Sequence, residues 1–311
     1  MKEIREDDTF IKIDNKYIKD GDYILNSEQL TILTLITMNL SLKGVCIFSI
    51  TWLLDMLNNS RSNNRKIKEI KNILQQFIND NIITLYTNVL TDDNIITDIT
   101  NIDKSDLLYC YVEDVEDNFT LIYDRELLEI INVAHKYKLD TYSLINFILY
   151  IYSFIDNNEQ DEDYKLCYPS FNNINDNIGI SEATIVKYIN ILQENNIICC
   201  DYAGFKETVK GQIRNAKMFY CRSEDKEFLI KRVQAYREKE GFIKQNKLSK
   251  NKSNLKRSLK QQINKLNDKT NKNTINDIEK ERLKLLKEEY QEIEQKEEKK
   301  QEKHNALSKG K

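Results

Sequence analysis

Apolar residues recur at helical spacing through most of the chain, and the intervals between these stretches are short and polar. SEQLTILTLITMNL, opening at Ser27, puts Leu30, Leu33, Ile36 and Leu40 on one side of a helix. TYSLINFILYIYSFI, Thr141 to Ile155, is apolar on nearly every face, which predicts the central, buried helix of its domain. A similar pattern follows each of these helices. In FSITWLLDMLN from Phe48 and PSFNNINDNIG from Pro169, a serine stands ready to cap a helix (Ser49, Ser170), and Ile50, Leu53, Asp55 and Leu57 match Phe171, Ile174, Asp176 and Ile178. After a turn that is longer in the first copy, Ile70, Leu74 and Phe77 match Ile185, Ile189 and Leu192. The copies then end alike, in NDNII (Asn79 to Ile83) and ENNII (Glu194 to Ile198), so the chain reads as an internal duplication.

The second copy carries the clearer punctuation. In SFNNINDNIGISEATIVKYINILQENNIICCDY, Ser170 to Tyr202, a helix burying Phe171, Ile174 and Ile178 meets Gly179, which can take the left-handed turn. Ile180 fills the angle, Ser181 caps the next helix, and that helix buries Ile185, Tyr188 or Ile189, and Leu192. Ser181, Glu182, Thr184 and Lys187 are left on its exposed N-terminal side, the end that such helices present to the major groove. IICCDYAG and AKMFYCR then read as two strands of a hairpin around FKETVKGQIRN, with Lys206, Lys210, Arg214 and Lys217 in or beside the loop. In the first copy, NNSRSNNRKIKEIKNILQQF collects Arg61, Asn63, Asn64, Arg65, Lys66, Lys68 and Lys71 around the long turn and the start of its third helix. Arginine pairs with guanine and asparagine with adenine through two hydrogen bonds each, so this mixture suits base reading as well as phosphate contact. The plain alternatives are a solvated helix face in the first copy and a protein-contact surface in the second. Trp52, the one tryptophan, reads as a core or helix-packing residue.

Between the copies, the acidic, Asn-rich stretch 91–123 reads as a partly structured connector, in which YCYV (Tyr109 to Val112) and FTLIY (Phe119 to Tyr123) are candidate short strands. From about Gly241 the aromatics and β-branched clusters disappear, and the segment cannot bury a core of its own. Residues 244–272 carry ten cations against Asp268 alone, whereas 276–303 mixes signs around Leu283, Leu286, Tyr290 and Ile293 at helical spacing. The expected architecture is mainly α with small β-hairpin wings: a first domain over 1–90, the connector, a second domain over 124–240, and a charged, helical or disordered tail over 241–311.

Charge sharpens this picture. The formal net charge is only −3, but Asp201 to Lys272 holds 20 Lys and Arg against 8 Asp and Glu, and Thr91 to Asp163 holds 4 against 18. Attraction to phosphate follows the local patch, not the sum. The 6 cysteines show no C-x-x-C spacing, and the 2 histidines, His135 and His304, are far apart. A rolling-circle nuclease needs two neighbouring metal-binding histidines, and a loader ATPase needs a phosphate loop ending in Gly-Lys-Ser or Gly-Lys-Thr. The one Gly-Lys pair here is Gly310–Lys311. Neither enzymatic activity nor a cofactor or metal is expected. No apolar run approaches membrane-spanning length and the polar N-terminus does not resemble a signal peptide, so the expectation is a cytoplasmic protein with no membrane partner.

On these motifs the second copy resembles the winged-helix domains of bacterial regulators and replication proteins. The first, with its SRSNNRK turn and NDNII ending, is similar to helix-turn-helix domains of replication initiators from plasmids and phages of AT-rich Gram-positive bacteria. The resemblance covers roughly Phe10 to Thr87 and Asp124 to Lys239. It implies two tandem winged helix-turn-helix domains and sequence-specific binding to double-stranded DNA. It also implies initiation of replication at origin repeats and contact with host helicase or helicase-loading proteins, and it leaves room for a homodimer. A transcriptional or conjugation regulator and a protein-binding scaffold are the alternatives.

Overall fold

The Leu30–Ile36 stripe becomes helix α1 (Ser27–Met38), and its start is fixed by a capping box. The Asn26 side chain accepts from the Gln29 backbone N–H, and the Gln29 side chain accepts from that of Asn26. The structure, a computed structural model, describes residues 9–19, 23–41, 44–87, 94–113, 115–155, 165–207, 213–243, 259–270, 279–280, 283–288 and 290–291. Ahead of α1 lies strand β1 (Phe10–Asp14), and after it come β2 (Cys46–Phe48), α2 (Ile50–Met56), α3 (Asn64–Asn79), β3 (Ile83–Tyr86) and β4 (Leu108–Val112). Ser49 caps α2 by accepting from the Trp52 N–H at 3.1 Å. The three strands form an antiparallel sheet in the order β2-β4-β3. The acidic stretch therefore contributes to the fold: it supplies β4 and β5 (Phe119–Tyr123), and its Ile96, Ile99 and Leu108 are buried.

The second half runs α4 (Asp124–Tyr137), α5 (Thr141–Tyr152), α6 (Phe171–Ile178), α7 (Glu182–Glu194), β6 (Ile198–Tyr202), β7 (Phe205–Glu207), β8 (Ile213–Asn215), β9 (Met218–Arg222) and α8 (Lys226–Glu240). Every residue of α5 from Leu144 to Tyr152 is buried, as its uniform hydrophobicity predicts. Burial of one Leu or Ile side chain in such a helix contributes roughly 1.5–3 kcal/mol. Ser170 caps α6, Gly179 ends it in the left-handed region (φ 71°), and Ser181 caps α7. Ile180 is buried in the angle between these two helices.

The internal duplication extends to strand register. Cys110 of β4 pairs with Cys46 of β2 on one side and Leu85 of β3 on the other. Tyr220 of β9 likewise lies between Cys167, through an isolated bridge, and Cys200 of β6. Ile83 faces Val112 in the first sheet as Ile198 faces Arg222 in the second. The two halves also meet: β1 pairs antiparallel with β5 about Lys12 and Leu121, and α1 packs on its counterpart α5. The halves of a homodimer meet in the same way about a twofold axis. One continuous core runs from Ile11 to Tyr220 through both halves, and Met1–Phe242 form one compact unit.

Ile243–Lys311 form a second unit. Its described part contains a helix over 259–270 and a further helical stretch at 283–288, with an ion pair between Lys269 and Glu279. Leu259 and Leu283 are buried, and the described part of the charged tail is helical. The protein is thus mainly helical with small antiparallel sheets. Among the described residues, no helix is long and apolar enough to cross a membrane.

Candidate nucleic-acid interface

Helix α3 buries Ile70, Ile73, Leu74 and Phe77. The 3.6-residue period then turns Asn64, Arg65, Lys68, Asn72 and Gln76 outward along one stripe. The cations predicted from the first copy divide into two groups. Arg61, in the loop before α3, is held by Asp55 (Nε to Oδ1, 2.8 Å), whose hydrogen bonds raise the guanidinium pKa and lower that of the carboxyl. Lys66 turns away from the exposed stripe to Glu69 at 2.7 Å and Glu28 at 3.5 Å, and lies over the Tyr142 ring of α5. Its hydrogen bond with Glu69 raises the amine pKa. Lys71 donates to the carbonyls of Thr100 and Ile102 at 2.9 and 2.6 Å, so it ties α3 to the acidic stretch. Asn63 is the N-cap of α3, its side chain accepting from the Lys66 N–H.

That leaves Asn64, Arg65 and Lys68 on the stripe, with Arg65 loosely paired to Glu69 within its own helix at 2.9 Å. Lys68 is exposed and has no ion pair among the described residues. Asn72, one turn further along, belongs to the same stripe. Asn72 lies beyond the basic cluster, but the helical period that runs through Lys68 reaches it.

Helix α7 is arranged in the same way but is poorer in charge. Ile185, Tyr188, Ile189, Ile191 and Leu192 are buried, and Glu182, Ala183, Val186, Lys187, Asn190 and Glu194 are exposed. Ser181 and Thr184, both in the predicted set, share a hydroxyl–hydroxyl bond of 2.9 Å at the helix start. Thr184 is half-buried, and Lys187 is the single cation of this face. Val186 and Asn190 were missed for the same reason as Asn72.

Beyond α7, β6 and β9 are extended by the smaller hairpin β7–β8, in which Lys206 stands opposite Arg214. Gly204, at φ 109°, makes the bend between them. Two of the four predicted loop cations are engaged elsewhere. Lys206 donates to the Glu240 carbonyl at the C-terminal end of α8 (2.8 Å) and lies over Phe242, a favourable place for a cation. Lys217 lies 3.6 Å over the Tyr168 ring. Lys210 is outside the described residues, as is the side chain of Arg214.

The described residues contain no group of three or more His, Cys, Asp or Glu side chains placed to hold a metal. The six cysteines are free. No protein-family model and no curated protein matches the chain.

Proposed function

We propose that each half of the first unit is a winged helix, with α3 and α7 as the two reading helices, and that the protein binds double-stranded DNA by sequence. The observation that carries this reading is the repeated order helix, strand, helix, helix, strand, strand. The third strand lies in the middle of the sheet in the first copy; in the second, a single bridge at Cys167 stands where the first strand would be, the β7–β8 hairpin intervenes, and β9 keeps the same register. In each copy the helix before the second strand keeps a polar face outward. Asn64, Arg65, Lys68 and Asn72 supply bidentate and cationic groups for base edges and phosphates, and Ala183, Val186, Lys187 and Asn190 supply apolar and amide groups suited to thymine methyls and adenine. Two unequal reading helices in one chain suit a composite site, so initiation of plasmid or phage replication at origin repeats is the role we favour, with host helicase or its loader as the further partner.

The test is enrichment of duplexes from a random library by the full-length chain, followed by titration of the winner against scrambled duplex. A specific site should bind on the order of 10³-fold tighter than scrambled DNA at fixed salt. Failure to enrich any sequence overturns the DNA-reading proposal. Tandem direct copies of the site beside the encoding gene support initiation, whereas one palindrome at a promoter supports a regulator.

A further inference from the structure

The two sheets share a register but differ on their outer faces. Alternation along the strands sends Cys46, Phe48, Leu85, Leu108 and Cys110 into the core and leaves Ile47, Thr84, Tyr86, Tyr109 and Tyr111 on the other side. There Tyr109 stands between Ile47 and Tyr86, and Tyr111 stands opposite Thr84. The same register in the second sheet gives Phe219 for Tyr109, Cys221 for Tyr111, Cys199 for Thr84 and Asp201 for Tyr86.

Helix α8 covers that second face. Leu229 and Val233 are buried with Phe219 and Cys221, and Tyr236 meets Phe219 edge-on at 5.2 Å. Arg237 closes the rim by donating to Asp201 at 2.6 Å and to the Tyr202 and Ala203 carbonyls. In the first repeat the chain passes from β4 straight into β5, so no helix follows β4 as α8 follows β9. Cys221 is buried where its counterpart Tyr111 is 50% exposed, and Phe219 is buried where its counterpart Tyr109 is half-buried, with Ile47 exposed beside it. Exposed aromatic and aliphatic side chains grouped on one flat face mark an interaction surface, and tyrosine is enriched at the centre of such surfaces.

The second repeat shows what covers such a face: a helix with apolar side chains at i, i+4 and i+7, as Leu229, Val233 and Tyr236 are spaced. The surroundings set its charge. Strand β4 is preceded by the exposed Asp103 and Asp106, with Lys104 between them, and followed by the exposed Glu113, Glu116 and Asp117, with Lys12 and Lys16 beside Glu113 and Glu116, so acidic groups outnumber cations at its ends. We infer that the outer face formed by Ile47, Tyr86, Tyr109 and Tyr111 docks a basic amphipathic helix of a partner protein, apolar at i, i+4 and i+7 and flanked by Lys or Arg. This surface is separate from the exposed stripes of α3 and α7 and does not depend on the DNA-binding reading.

Two labelled helical peptides test it on the full-length chain: one with leucine at i, i+4 and i+7 and lysine on the opposite face, the other with glutamate for each lysine. The basic peptide should bind at least about tenfold tighter than the acidic one and should slow nitration of Tyr111 by tetranitromethane. Ile47→Ser with Tyr111→Ser should weaken it about tenfold, with helix content by circular dichroism and melting temperature kept. If that pair of changes compromises folding, Tyr111→Lys alone, at an exposed position, should give the same weakening. Equal binding of the two peptides, or undiminished binding by these folded variants, overturns the proposal. So does a Tyr111 that resists nitration in the free protein: resistance that grows with protein concentration assigns the face to a second copy, and resistance independent of concentration assigns it to the chain itself.

Discussion

Arg222 and Glu126 form a buried ion pair, Nη1 to Oε2 at 2.6 Å, that joins the last strand of the second sheet to the first turn of α4. Arg222 also donates to the Leu121 carbonyl and stacks over the Tyr152 ring at 4.0 Å, and Tyr152 donates to the same Glu126. Burial, and then the Glu126 charge, push the Tyr152 phenol well above its ordinary pKa. Removing Glu126 leaves the Arg222 charge in the core with only the Leu121 carbonyl, the Tyr152 ring and the Glu224 charge to offset its burial. Glu126→Ala should therefore cost about 3–5 kcal/mol in urea unfolding, and the volume-matched double change Glu126→Leu with Arg222→Met should regain much of it. A loss of under about 1 kcal/mol for Glu126→Ala would class the pair with ordinary surface bridges.

The basic cluster of the first repeat should split by function along the line its contacts draw. Lys71→Met removes two bonds from a charged amine to the 100–102 carbonyls and should cost about 1.5–3 kcal/mol of stability. Lys68→Ala, with no such bonds, should stay within about 0.5 kcal/mol of wild type, while its affinity for a selected duplex falls and its log-affinity against log-salt slope flattens by about one. Thermal melts and salt titrations of the two variants decide this. Unchanged DNA affinity in a folded Lys68→Ala, Asn72→Ala chain would take α3 out of the interface.

The elements were legible because each is punctuated locally: Ser49, Ser170 and Ser181 cap helices, Gly179 takes the left-handed turn, and α5 is apolar all round. The orientation of the cations was not legible. Lys66, Lys68 and Lys71 are adjacent in a basic run, and composition treats them alike. Yet Lys66 meets Glu28 and Lys71 meets the carbonyls of residues 100 and 102, partners that only the tertiary fold brings close. Lys206 escaped for the same reason, since its partner Glu240 belongs to α8. Asn72, Val186 and Asn190 could have been read by following the exposed face one turn further. The shared core of the two repeats was hidden because β1 and β5, which pair, lie far apart in sequence.

Cys199 offers a pH-dependent handle on the second sheet. It lies opposite Cys221, and the hydrogen bond from the Cys221 thiol, aided by Lys226 and opposed by burial, lowers its pKa to about 7. Burial pushes Cys200 and Cys46 up to about 12. Below about pH 7 Cys199 is protonated and slow to react, so iodoacetamide labelling read by mass spectrometry should rise through about pH 7 at Cys199 and stay low at the other two. Cys221→Ala should move the labelling midpoint upward, and an unmoved midpoint would remove the cross-strand bond as its cause.

The last prediction concerns the second repeat, where α7 should choose the sequence and the β7–β8 hairpin should hold the backbone. The α7 face offers Val186, Lys187 and Asn190, so its discrimination rests on few contacts, each worth about 1–3 kcal/mol against the wrong base. Replacing Lys187 and Asn190 with alanine should flatten the preference for a selected duplex over a scrambled one. Replacing Lys210 and Arg214 should instead weaken both duplexes by similar factors and reduce the salt slope by one to two, a loss of phosphate contacts without loss of reading. Lys206→Ala belongs to neither class, because its amine is bound to the end of α8, and its effect should appear in the melting temperature. If the α7 variant keeps its selectivity while folded, the second repeat is not the reader and the choice of sequence rests on α3 alone.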